Sequence, residues 1–439
     1  MGVATAMRRL WQHSRFRRLF LIRVLTQAGD GTLQVGMASY ILFSPQSQAT
    51  AWDVAAVLAL TLLPYTLIGP HFSALLDHWH RRNIVVAADS TRAVLAILLA
   101  GLIGVGLTSG YWQLMLYAAL LLALSISRFV LAGLSAALQH TVAADEYLTA
   151  SSVVPTVGPI GVVLGALIGF ATRVGLAPVL GVALANATVF LLAGLLFLGS
   201  AATAARFGRT ELGPKQRAPL TSIGDVTRDL AAATKHLWRR RSAVAAMTVM
   251  AATRVTFGMF SVAVIVGMRN TFHQPDQPEA AIGDLTLWGV LAGGGYILAT
   301  VLVPFAVRLA SLRRTMIGAL LLAGLAQLAT AAWPSFWVLL GGTAVLGLAV
   351  QTVKIATDTV VQAQVAEHYK GRVFTLYDMA YNGGLVLSGV LAAFVLPAAG
   401  ISPQVFWALA LGYIVAAACF AWFSRTHDPA SFERGTESL

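Results

Sequence analysis

Several ionisable residues stand inside stretches of this chain that are otherwise apolar, where a charge is costly unless it is paired or used. Asp30, Arg128, Arg254, Lys354, Asp358 and Asp378 are the clearest. Asp30 sits among Gln27, Gly29, Gly31 and Gln34, a polar, loosely packing stripe suited to a water-filled cavity. A carboxyl group that alternates between apolar surroundings and the neighbourhood of a cation takes up and releases protons. Arg128 and Arg254 are the expected cations for Asp30. A guanidinium also pairs well with the carboxylate or phosphate of a solute, and a permanent ion pair that only ties helices together is the competing reading. Lys354 and Asp358, four residues apart, share a helix face and can pair there. Asp378 and Asn382 form a similar polar face beside Tyr377 and Tyr381, and Phe257, Phe260 and Trp288 join those tyrosines as candidate cavity linings.

A second group of charges fills a short connection between apolar stretches. Gly69-Pro-His-Phe-Ser-Ala-Leu-Leu-Asp77-His-Trp-His-Arg81-Arg82 leads to Asp89 and Arg92 within a few residues. A carboxylate at the end of one helix can meet the positive end of a neighbouring helix dipole. His78 and His80 flank Trp79 with no third ligand nearby, so a metal site is not read there.

Positioning such groups falls to membrane-spanning helices. Of 439 residues 57% are apolar and 11% charged, against roughly 25% charged in soluble chains. Twelve apolar windows, at 18–43, 52–76, 84–107, 112–140, 150–172, 178–204, 243–267, 283–306, 315–332, 336–364, 373–396 and 403–423, are each long enough to cross a bilayer. Asp30 lies roughly 16 Å into the first, near mid-membrane. The reading is an all-α integral membrane protein of twelve transmembrane helices in two pseudo-symmetric six-helix bundles. Residues 1–205 form the first bundle and 206–242 a basic linker. Residues 243–424 form the second bundle and 425–439 a tail. In the linker Val226, Leu230, Ala233 and Leu237 share one face, which predicts an amphipathic helix on the membrane surface.

The formal charge of +12 is a topology signal rather than a nucleic-acid footprint. Basic residues crowd the N-terminus, the Arg81-Arg82 connection and the linker, while Arg173 and Arg269 alone are placed in the opposite loops. By the positive-inside rule both termini are cytoplasmic. No metalloprotease, dithiol or serine-hydrolase pattern is present, so an enzyme is not expected.

The charged connection ending in Arg82 resembles the loop between helices two and three of the major facilitator superfamily. Arg128-Phe-Val-Leu-Ala-Gly133 resembles its span-four arginine motif, with the glycine one residue late. Gly158-Pro159-Ile-Gly161-Val-Val-Leu-Gly165 resembles, incompletely, the span-five motif of its antiporters. The Gly371-Arg372-Val-Phe entry to the eleventh span is similar to that of drug and siderophore exporters of the macrolide-efflux type. The resemblance implies alternating access, with Asp77, Arg81, Arg82, Asp89, Arg92 and Arg372 as a cytoplasmic gate. It implies proton-coupled efflux of an amphipathic small molecule across the plasma or inner membrane. The partners are then the lipid bilayer, that substrate and protons, with no cofactor beyond the proton gradient, no nucleic acid and a monomeric state. A transporter or flippase of a lipid or anionic metabolite, with Arg and Lys as charge receptors, is the alternative.

Overall fold

The computed structural model describes residues 9–42, 50–67, 79–143, 147–213, 223–273, 278–426 and 429–432. Among these, regular structure is helical throughout. Six helices occupy the first half: α1 (Ser14–Leu42), α2 (Ala51–Leu67), α3 (Arg81–Gly104), α4 (Tyr111–Ala137), α5 (Tyr147–Leu180) and α6 (Val182–Ala205). The linker forms α7 (Ile223–Trp238). The second half contributes α8 (Arg241–Asn270), α9 (Pro278–Ala310), α10 (Leu312–Ala332), α11 (Phe336–Gln364), α12 (Glu367–Val395) and α13 (Pro403–Thr426).

Ten of these helices are long and apolar enough to cross a membrane. The two remaining spans differ for identifiable reasons. In α1 the residues Arg15, Arg17, Arg18, Arg23, Gln27, Asp30 and Gln34 dilute its hydropathy, and α2 is described over only 17 residues. The order is that of a twelve-helix, all-α membrane protein.

Contacts divide the chain into two compact units, Met1–Tyr40 with Leu67–Val226, and Ile41–Thr66 with Thr227–Leu439. By these contacts α2 groups with the second unit. Within that unit Trp52 meets Phe394 edge-on at 5.1 Å, and Gly389 of α12 lets the backbone of Ala55 come close. Arg173 and Arg269 depart from the loops expected for them. Both are buried within helices, α5 and α8, rather than placed in loops. The expected loop at 173 is absent because α5 continues to Leu180 and turns into α6 through Gly181 alone, at φ 80°. Glycine adopts that left-handed φ without a Cβ clash.

Lipid tails are as apolar as leucine, so membrane helices associate by close packing at small residues. In the first unit α1 packs on α5 in this way. Gly31 faces the Val162 carbonyl, Gly165 the Ala28 carbonyl and Gly169 the Thr32 side chain. The Thr32 hydroxyl also donates to the Gly165 carbonyl at 2.9 Å. In the second unit Gly258 of α8 meets Ser388, while Gly384 of α12 meets the Arg254 Cβ and the Ala251 carbonyl. Helix α7 packs part of its apolar face on the second unit. Ala233 and Leu237 join the core of the second unit, His236 stacks on Tyr369 at 4.5 Å, and Asp229 pairs with Arg372 at 2.5 Å.

A side chain forced into the α1–α5 crossing costs roughly 1–3 kcal/mol or more. Gly165→Leu is therefore expected to lower the melting temperature in detergent. Gly175→Leu, at a position in α5 where a Cβ meets nothing within 4 Å, is expected to leave it unchanged. Equal melting of the two variants refutes the crossing.

Candidate functional site: a buried charge network

Asp30 points into the first unit, where α3 brings a carboxylate and a guanidinium to the same place. Arg92 Nη2 pairs with Asp30 Oδ1, and Arg92 Nη1 pairs with Asp89 Oδ1 at 2.8 Å. The three side chains are buried, Arg92 and Asp89 fully and Asp30 to within 3% exposure. Hydroxyl and amide groups complete the shell. The Ser127 hydroxyl of α4 donates to Asp30 Oδ2 at 2.6 Å, and the Gln27 amide donates to the same oxygen at 3.2 Å. On the other carboxylate the Ser200 hydroxyl of α6 donates at 2.5 Å. Thr26 accepts from Arg92 Nη1 at 2.8 Å and donates to Asp89 at 3.1 Å. The Phe197 ring lies 3.8 Å from the guanidinium carbon, a cation–π contact worth more in a desolvated setting. Gly29, beside Asp30, makes room for that ring, which a Cβ there would overlap.

Among the described residues the cation at Asp30 is Arg92, and Asp89 and Arg92 lie together in this buried network rather than in the connection before α3. The physical reason is register: α3 begins at Arg81, so Arg92 lies several turns inside its helix. Thr26, Ser127, Ser200 and Phe197 escape a sequence reading altogether, because short hydroxyls and phenylalanines in apolar helices mostly serve packing or back-bond to their own helix.

The network holds two carboxylates against one guanidinium. With both ionised it carries one net negative charge, and one bound proton makes it neutral.

The other candidate residues fall elsewhere. Arg128 lies on α4, but its side chain is outside the described residues, as are Asp77 and His78 altogether. Arg81 is buried at the start of α3. Its backbone amide donates to the Gly213 carbonyl at 3.0 Å and its guanidinium to the Leu212 carbonyl at 3.3 Å. Arg82 donates to the Ala205 carbonyl at 3.0 Å, where a cation suits the negative end of α6. Arg372 opens α12 and pairs with Asp229. Both partners are more than two-fifths exposed, so the pair adds little stability.

In the second unit Lys354 and Asp358 form the expected pair within α11 at 2.9 Å. Asn382 donates to the backbone carbonyl of Asp378 at 2.9 Å. Arg254 lies over the ring of Tyr381 at 3.9 Å. Phe257 and Phe260 are buried in the apolar core of the second unit, with Phe260 against Phe406 at 6.1 Å.

Comparison with known proteins places this geometry. Residues 246–438 match the Major Facilitator Superfamily sequence profile. The chain is 33% identical over 397 residues to an uncharacterized MFS-type transporter of Mycobacterium bovis, across 88% of this chain and 86% of that protein. A counterpart from Mycobacterium tuberculosis matches to the same extent. Among solved structures, the nucleoside transporter NupG superposes with a TM-score of 0.66 at 14% identity, covering 93% of this chain and 98% of that one. The POT family transporter PepTSo superposes with a TM-score of 0.64 at 12% identity, covering 94% and 98%. At such identity the structural likeness concerns the fold alone. Fold and relatives together define a multi-pass membrane transporter of the secondary type, not an enzyme. The chain belongs to the Major Facilitator Superfamily.

Removing one member of a buried ion network leaves its partners uncompensated, at a cost of about 3–5 kcal/mol. Arg92→Gln is expected to lower the melting temperature in detergent strongly, since Asp30 and Asp89 then lose their cation. Adding Asp30→Asn is expected to restore part of the loss. A double variant no more stable than Arg92→Gln refutes the charge accounting.

Proposed function

We propose that this protein is a proton-coupled secondary transporter that exports an amphipathic small molecule by alternating access. Asp30 is its proton carrier, with Arg92 as the group that holds it when ionised and Asp89 as the second partner of Arg92. The observation that supports this reading is the buried network of two carboxylates and one guanidinium. Any motion of α1 against α3 and α4 separates Asp30 from Arg92 and Ser127. An ionised carboxylate left without those partners in a low-dielectric interior is strongly disfavoured. Uptake of a proton relieves that cost, and return of Arg92 expels it. Proton occupancy and helix position are then linked.

In this reading both termini are cytoplasmic and the protein resides in the plasma or inner membrane as a monomer. Arg81, Arg82 and Arg372 mark the cytoplasmic gate, together with Asp77. Arg82 bonds the last carbonyl of α6 and Arg372 pairs with Asp229, exposed contacts that suit a closure forming and breaking at little cost.

Two measurements test the assignment. Infrared difference spectra between acidic and alkaline pH are expected to show a protonated-carboxyl band that Asp30→Asn removes. In proteoliposomes, a panel of amphipathic dyes of either charge is expected to include members that stimulate proton flux through the native chain and not through Asp30→Asn. Dye movement coupled to protons in the variant overturns the role of Asp30.

A further inference from the structure

Among the described residues, the second unit buries a cation with which no carboxylate pairs. Arg254 of α8 is 7% exposed, and its Nε has no hydrogen-bond acceptor. Its guanidinium carbon lies 3.9 Å from the ring centre of Tyr381 on α12, and it faces the hydroxyl of Tyr296 on α9. Among the described residues no carboxylate forms an ion pair with it. The neighbouring cation is already answered. Lys354 pairs with Asp358 at 2.9 Å, and its Nζ lies 5.6 Å from the rings of Tyr377 and Tyr381. Asp378, one turn before Tyr381, is exposed. The local backbone is shaped for this geometry. Gly384 lets α12 approach α8 at Arg254 itself, which brings Tyr381, three residues earlier, over the guanidinium.

A buried guanidinium without a counter-ion is unfavourable, and one held by aromatic faces keeps its N–H groups available to a planar oxyanion. We propose that Arg254 is the receptor for an acidic head group on the transported molecule, a carboxylate or phosphate monoester borne on an aromatic or alkyl body. Tyr296 and Tyr381 flank the head. This rests on the transporter reading above and names its substrate class. An organic cation would meet like charge at Arg254, and a neutral analogue would leave the guanidinium unanswered.

The test is equilibrium binding to the full chain in a neutral detergent, at fixed pH and with no gradient. The probes are 2-naphthoate, 2-naphthyl phosphate, 2-naphthylmethylamine and 2-naphthylmethanol, which share one ring system. At least one anion is expected to bind more tightly than the amine and the alcohol by about tenfold or more, the scale of a charge-assisted hydrogen bond. The stronger of the two anions identifies the head group as carboxylate or phosphate. Arg254→Gln is expected to weaken the anion by a similar factor and Arg254→Lys to recover part of it. Arg308→Gln, which removes an exposed arginine of α9, is expected to change nothing. Equal binding of all four probes overturns the proposal, as does native anion affinity in Arg254→Gln. If Arg254→Gln does not fold, the ranking of the four probes on the native chain decides. Asp30→Asn is expected to keep the anion site, so loss of proton coupling and loss of substrate recognition are read separately.

Discussion

Two carboxylates and one guanidinium share a fully buried site in the first unit, and the helices around it are arranged to make that tolerable. Asp30 comes from α1, Asp89 and Arg92 from α3, Ser127 from α4 and Ser200 from α6. Rotating one of these helices by a single residue would remove a partner from a charge that has no access to water. Buried charges are weak contributors to net stability but strict about geometry. The glycines of α5 act in the same direction, because Gly165 and Gly169 leave α1 one close seat. Even Gly29 has a specific use, giving Phe197 the room to lie on Arg92.

The second unit repeats the scheme with a different charge. Helix α8, the first span of the second half of the chain, carries Arg254 as α1 carries Asp30, and α12, the fifth span of that half, supplies the glycine at the crossing as α5 does in the first half. The chemistry then diverges. The first unit surrounds its charges with hydroxyls and a counter-ion. The second surrounds its arginine with tyrosines, whose faces and hydroxyls do not cancel a full positive charge. Lys354 is answered by Asp358 within one helix turn.

The charged residues near helix ends serve a third purpose. Arg81 and Arg82 bind carbonyls at and just after the end of α6, and Arg372 binds Asp229 of the linker helix. These are exposed or backbone contacts that join segments distant in sequence without burying a charge pair between them. Covering the apolar face of α7 by Ala233 and Leu237 packing ties the linker to the second unit, a role that amphipathicity alone does not separate from lying on a bilayer.

Hydropathy adds along the chain, so the number and order of spans were readable from residue types, as was the cost of placing Asp30 or Arg254 among apolar neighbours. The i, i+4 pair of Lys354 and Asp358 was readable for the same reason, since one helix sets its geometry. Pairing between helices is different in kind. Asp30 could be assigned a cation only once the rotation of α1, α3 and α4 was known, and that rotation is set by contacts such as Gly165 with Ala28 between segments more than a hundred residues apart. That Asp89 and Arg92 meet Asp30 was therefore not legible, and Ser127 and Ser200 carried no signal. Composition determined that this chain lives in a membrane and must use its buried charges. Tertiary packing decided which charge answers which, because the angular position of a side chain around a helix is fixed by its neighbours and not by its place in the sequence.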